Sequence, residues 1–494
     1  MIHIYHYQQK GQIKPVLAAF FCLTVLVGYL IFFSSKIDGL LRTLGLLITV
    51  SLAGVYLLEK QIIVLKDRRL GYLSYLFLLK LIILICIINF AWAPALKEIT
   101  VSSGFDPGRY YHQAYELMRA GFDLKSSHLN FSINYSGIIF YYGVIFYLFG
   151  HNPFAPLLIN CFVTLLATIM LLKVGYRIKP FMRHTDWTLG LVMFIPEIVW
   201  YDGITSREAI CMSLLCFLIL PAVALYKQKY LLVSRWKLFA CSFAAFISLL
   251  CIRPQLVAIG GIAILLLFCV LGRFQSKKKL AILLCIVFML FTAFFITPKL
   301  APAIGGYDFS WSEAISRRFM ESEGSQKLLS KHAGDWSRNS IGKRLIPKDR
   351  LEVALFAPAR VAGYIVAPFP RIIHWFNYRE LIQGNHRHWK GFVTACSSVV
   401  YIFLFPLALA ATIDFLVLKK NRDWGILVVS WWIIHCIVSV SVLIIHMRYR
   451  IMFLPFLCAS IWIGRYSSKK LKKNMFVVFY FLFLLVIGFI TLFL

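Results

Sequence analysis

The stretch FDPGRYYHQAYEL, Phe105 to Leu117, gathers an Asp, an Arg, a His, a Glu and three Tyr directly after an apolar run that ends near Pro94. Carboxylate and imidazole groups exchange protons and a guanidinium holds anions, so these are residue types that could serve an acid–base site. Pro107 and Gly108 favour a turn or a first helical turn after Asp106. A helix running on from there puts Asp106, Tyr110, Gln113 and Leu117 on one face, and Arg109, His112 and Glu116 on another. Two readings stay open on spacing alone. Asp106 is an N-terminal cap beside a solvated face, since Asp is a favoured cap residue, or a carboxylate that faces a cavity together with polar neighbours.

The elements that must position these groups are membrane helices. A hydrophobic fraction of 60% with 15% charged residues over 494 residues is integral-membrane composition. Apolar runs long enough to cross a bilayer recur along the whole chain. They lie at 15–33, 38–58, 71–94, 153–172, 187–202, 208–226, 238–252, 255–272, 280–297, 392–418, 424–445, 450–464 and 475–494. The expected fold is therefore all-α and polytopic, with about 13 crossings. The first run is too long for a signal-peptide core and is followed by no A-x-A-like site, so it reads as a retained helix.

The net charge of +31 falls in clusters between the runs, at 10–14, 60–69, 173–183, 227–237, 273–279, 419–422 and 465–473. That placement is what the positive-inside rule expects of cytoplasmic loops, and it argues against nucleic acid as a partner. Sidedness works if the apolar segments 133–150 and 353–376 lie at the interface or re-enter without crossing. Gly137, Gly143 and many aromatics mark the first, and Pro358, Pro368, Pro370, Arg360 and Arg371 interrupt the second. Two large extracytoplasmic segments result, 95–152 and 298–391, within a single membrane domain, 1–494, that shows no fixed-period repeat. The twelve Cys form no CxxC pair and read as packing residues rather than zinc ligands or disulfides. In NHRHW, His386 and His388 lack a nearby carboxylate or Cys and read as outer-loop polar contacts rather than a ligand pair.

The pattern D-x-x-x-Y-x-x-x-A-x-x-L, here Asp106, Tyr110, Ala114 and Leu117, resembles the first outer loop of the GT-C superfamily of polyprenyl-phosphate-sugar-dependent glycosyltransferases. That group includes protein mannosyltransferases and aminoarabinose transferases. Three more stretches follow in the family's order. Asn134 to Asn160 is similar to its aromatic juxtamembrane segment, with Phe149, Gly150, His151 and Pro153 matching. Pro196 to Ile210 resembles its second outer loop through Pro196, Tyr201, Arg207 and Glu208. His446 to Phe456 matches the start of a late helix with Arg448, Tyr449, Arg450 and Pro455. The similarity covers about 95–225 and 424–465. Pro107 stands where many relatives carry a second acid, so no metal or carboxylate pair is assigned there.

The resemblance implies transfer of a sugar from a polyprenyl-phosphate donor to a hydroxyl of a glycan, lipid or protein. Asp106 is then the base that takes the acceptor proton. Arg207, Arg253, Arg448 and Arg450, all near outer ends of spans, are the candidates for holding the leaving phosphate, with interfacial snorkelling as the ordinary alternative. Glu208 is a second acid that orients Arg207 or the acceptor, or else a helix-start acid favoured by the macrodipole. Tyr110, Tyr111, His112, Tyr201 and Tyr449 are candidate substrate contacts, and the tyrosines suit an interfacial belt equally. The 298–391 segment would cap the lipid site. No cofactor is expected, divalent metal dependence stays open, and the expected location is a bacterial inner membrane with the site outside. A polysaccharide polymerase or ligase also has many helices and a large outer loop. A transporter or flippase would carry ionisable groups deep in several spans, of which Lys80 is the clearest here, and repeat-related broken helices.

Overall fold

The computed structural model describes residues 39–65, 71–92, 96, 106–123, 133–178, 194–226, 235–253, 256–257, 260–262, 264, 386–416, 428–436, 447–465 and 469–493. Every regular element among them is helical. The expected spans 15–33 and 280–297, the segment 353–376 and nearly all of 298–391 lie outside the described residues. The described residues fall into two units. The first takes in described stretches between 39 and 123, 138–213 and 386–389, and the second takes in 133–137, described stretches from 214 to 264, and those from 390 onward.

In the first unit, α1 (Leu40–Leu65) and α2 (Tyr72–Ile87) arise from nearly continuous apolar sequence, and α2 runs on into a π-helical turn, Ile88–Trp92. After α3 (Asp106–Arg119) and α4 (Ile133–Phe149) comes α5 (Phe154–Ile178). Its start is set locally. Asn152 Oδ1 accepts from the amides of Phe154 and Ala155 at 3.1 and 3.0 Å, an N-terminal cap, while Gly150 ends α4 at φ +87°. Next come the short α6 (Pro196–Asp202), with Pro at its first turn, and α7 (Glu208–Tyr226). The expected span 187–202 is described only from 194. There it is a two-turn helix whose end, at Gly203, donates its amide to the carbonyls of Val199 and Trp200.

The core of this unit is the junction of α1, α2, α5 and α6. Gly54 makes the closest approach possible. A Cβ there would run into the Phe77 ring of α2 and touch Leu165 of α5 at 3.0 Å. Gly54→Val is expected to cost about 1–3 kcal/mol through overpacking, read as a lower Tm in detergent; an unchanged Tm would show that the helices separate freely at this point.

In the second unit, α8 (Arg235–Ile252) is tied to the later part of α7 by a Ser242 hydroxyl that donates to the Leu218 carbonyl at 2.9 Å. α9 (His386–Leu416) bonds the helical stretch 428–436 through Trp432 Nε1 and Thr412 Oγ1 at 2.8 Å. A 3-10 turn, Met447–Phe453, leads into α10 (Leu454–Gly464), and α11 (Lys469–Phe493) follows. Among the described residues, Leu41–Gln61, Phe154–Val174 and His388–Leu416 are long and apolar enough to cross a membrane, and several shorter apolar helices accompany them.

Candidate functional site

α3 forms as its sequence period dictates. Tyr110, Gln113 and Leu117 are buried with Tyr111 and Ala114, whereas Arg109 and His112 are half-buried and Glu116 is exposed. The helix stops at a Schellman closure. Phe122 donates its amide to the Leu117 carbonyl and Gly121 to that of Met118, with Gly121 at φ +62°. Asp106 opens the helix, and its Oδ1 accepts from Arg109 Nη2 at 3.3 Å. The two side chains are 23% and 30% exposed, which makes Asp106 a reachable carboxylate.

α4 and the start of α5 wall this helix on one side. Gly143 lets them close: a Cβ at that position would lie 3.3 Å from the Ala114 carbonyl and 3.2 Å from the Phe122 ring. His151 stacks on Tyr115 with ring centres 3.7 Å apart, and Tyr111 sets its edge against Phe146 at 5.0 Å.

The turn between α6 and α7 closes another side, and every residue from 201 to 210 is buried. Thr205 Oγ1 donates to the Pro107 carbonyl at 2.7 Å, which fastens this turn to the first turn of α3. Tyr142 of α4 donates its hydroxyl to the Ser206 carbonyl at 2.6 Å, and Asn160 Nδ2 of α5 donates to that same phenol oxygen at 3.2 Å. The guanidiniums of Arg207 and Arg109 each lie 5.9 Å from the centre of the Tyr110 ring, within cation–π range. Glu208 is the first residue of α7, where the helix dipole favours an acid.

Asp106, Tyr110, Tyr111, His112, Tyr201, Arg207 and Glu208 thus belong to the first unit, and Arg253, Arg448, Tyr449 and Arg450 to the second. Tyr110, Tyr111 and Tyr201 are packed inside, so as they stand they hold helices together rather than present faces to a ligand. Arg450 is buried as well. Its guanidinium lies 4.5 Å from the centre of the Tyr401 ring, and its Nη1 donates to Ser398 Oγ at 3.2 Å. No three His, Cys, Asp or Glu among the described residues come together as a metal site.

Several polar contacts in this region escape sequence reasoning, although Lys80 itself stands out there as a mid-span charge. Lys80, a charge in mid-helix, pairs with Asp202 at 2.5 Å, and Asp202 also accepts from Thr164 Oγ1 at 2.7 Å. Asn160, Thr164 and Thr168 form a polar stripe at i, i+4 and i+8 on α5, fully buried. The legible signal was that spacing, which places all three on one helical face.

Thr205→Val is expected to destabilise by about 0.5–1.5 kcal/mol, because it removes a buried hydrogen bond to the first turn of α3. Thermal unfolding in detergent checks it, and an unchanged Tm would mean that water replaces the hydroxyl. No family model, curated protein or solved structure matches this chain.

Proposed function

We propose that the chain is a membrane glycosyltransferase that moves a sugar from a polyprenyl-phosphate-linked donor to an acceptor hydroxyl. In this proposal the fold is GT-C-like, with about 13 crossings. The reaction faces outward from a bacterial inner membrane, and the 298–391 segment covers the lipid site. One observation supports it most. Three stretches that are far apart in sequence, around Asp106, Tyr142 to His151 and Thr205 to Glu208, meet in one unit through the Thr205–Pro107, Tyr142–Ser206 and Tyr115–His151 contacts. They leave Asp106 partly exposed at the edge of that assembly.

Asp106 takes the proton of the acceptor hydroxyl as its oxygen bonds to the anomeric carbon. The bond from that carbon to the phosphate oxygen breaks, and polyprenyl phosphate departs with the electron pair, inverting the centre. Arg207 is the cation for the departing charge and Glu208 orients it, while Arg253, Arg448 and Arg450 remain expectations from the resemblance. In this reading His112, half-buried beside Tyr111 on α3, is a further acceptor contact.

Purified protein in nanodiscs, given synthetic polyprenyl-phosphate sugars and a panel of hydroxyl acceptors, tests the proposal. A product with the opposite anomeric configuration supports it. Product only from a lipid-linked oligosaccharide would favour a polymerase or ligase instead, and no product from any donor would sink the transferase reading.

A further inference from the structure

At seven residues, α6 is far shorter than a helix that is stable alone, so its end must be held from outside. It is held by charge. Lys80 of α2 and Thr164 of α5 grip separate oxygens of Asp202, and all three side chains are almost wholly buried. Stability explains this poorly, because a well-packed apolar set of the same volume commonly matches or exceeds a buried ion pair. What the ionic set adds is direction: one carboxylate is fixed by partners on two helices.

The chain leaving Asp202 is the turn that carries Arg207 and Glu208. Gly203 lies against Leu84 and Ile87 of α2, on the turns that follow Lys80. Asn160 Nδ2 donates to the Ile204 carbonyl at 3.4 Å, one helical turn before Thr164 on the same face of α5. From there the Thr205–Pro107 bond reaches the residue next to Asp106. We infer that Lys80 and Asp202 are positioning residues. They set the placement of the 203–208 turn and, through Pro107, the direction in which Asp106 is presented to the acceptor. The catalytic half of this inference rests on the transferase reading, whereas the placement of the turn does not.

Asp202→Asn alone strands Lys80 and endangers folding, so the test uses Lys80→Met, Asp202→Ala and Thr164→Val together, which removes the charges and the hydroxyl at nearly unchanged total volume. Three quantities are read: Tm, amide hydrogen exchange at 203–208, and kcat with donor KM. The expected result is a Tm at or above wild type and exchange at 203–208 faster by about tenfold with α1 unchanged. With them, kcat falls by about tenfold or more while KM does not rise. A purely structural role would move Tm and leave the other readouts at wild-type values in the folded protein, which overturns the inference. So does faster exchange with unchanged kcat, and so does a triple variant that fails to fold, since the pair would then be holding up the fold itself. If the wild type transfers no sugar from any donor, the transferase reading fails separately, and exchange alone decides: acceleration at 203–208 supports the positioning role, and wild-type exchange overturns it.

Discussion

Asp106→Asn is expected to lower sugar transfer by about two to four orders of magnitude, the usual contribution of a positioned base, while Tm and membrane insertion stay at wild-type values. The carboxamide keeps the shape of the side chain but cannot take the acceptor proton. Folding is spared for a reason of magnitude. The ion pair that Asp106 makes with Arg109 is 3.3 Å long and only half-buried, and pairs with such solvent access contribute about 0–1 kcal/mol. A loss of transfer therefore reports chemistry rather than collapse. Turnover of the Asp106→Asn variant, matched to wild type by Tm, is the measurement, and full transfer by the folded variant would reduce Asp106 to the opening residue of α3.

Lys80→Met is expected to destabilise the protein by about 3–5 kcal/mol, the cost of leaving a buried charge without its partner. Asp202 would keep only the Thr164 hydroxyl among the contacts described above, inside a helical junction with almost no solvent access. Asp202→Asn should cost a similar amount, because it strands the ammonium instead. Reversible unfolding in mixed micelles measures both. A loss below about 1 kcal/mol would show that the pair is hydrated like a surface bridge and would remove the reason for treating it as special.

The two substitutions fail in different places, which reflects how unevenly the site is written into the chain. α3 was legible because it is amphipathic: Tyr110, Gln113 and Leu117 recur at helical spacing, and they are buried while Arg109 and Glu116 look outward. The long apolar runs were legible too, since α5 at Phe154–Ile178 and α7 at Glu208–Tyr226 follow from hydrophobic length alone. The partner of Lys80 was not. Asp202 is the last residue of the expected span 187–202, and nothing in hydropathy or spacing links it to Lys80, far earlier in the chain. The stripe of Asn160, Thr164 and Thr168 vanished because averaging over a helix cancels three polar side chains among many apolar ones. Tyr110 and Tyr201 show a further limit. An aromatic ring suits a sugar, a lipid interface and a packed core equally well, and only the fold chose the core.

Burial of the whole 201–210 turn turns ligand access into a question of populations. Arg207 and Glu208 are 6% and 4% exposed, so under the proposed function a donor phosphate would reach the guanidinium only if the turn first parted from its neighbours. If about one molecule in a hundred is open, the apparent Kd is roughly a hundredfold weaker than the intrinsic one. A ligand that selects the open form would make that minority visible as slow, saturating association kinetics, with a ceiling set by the protein's own opening rate.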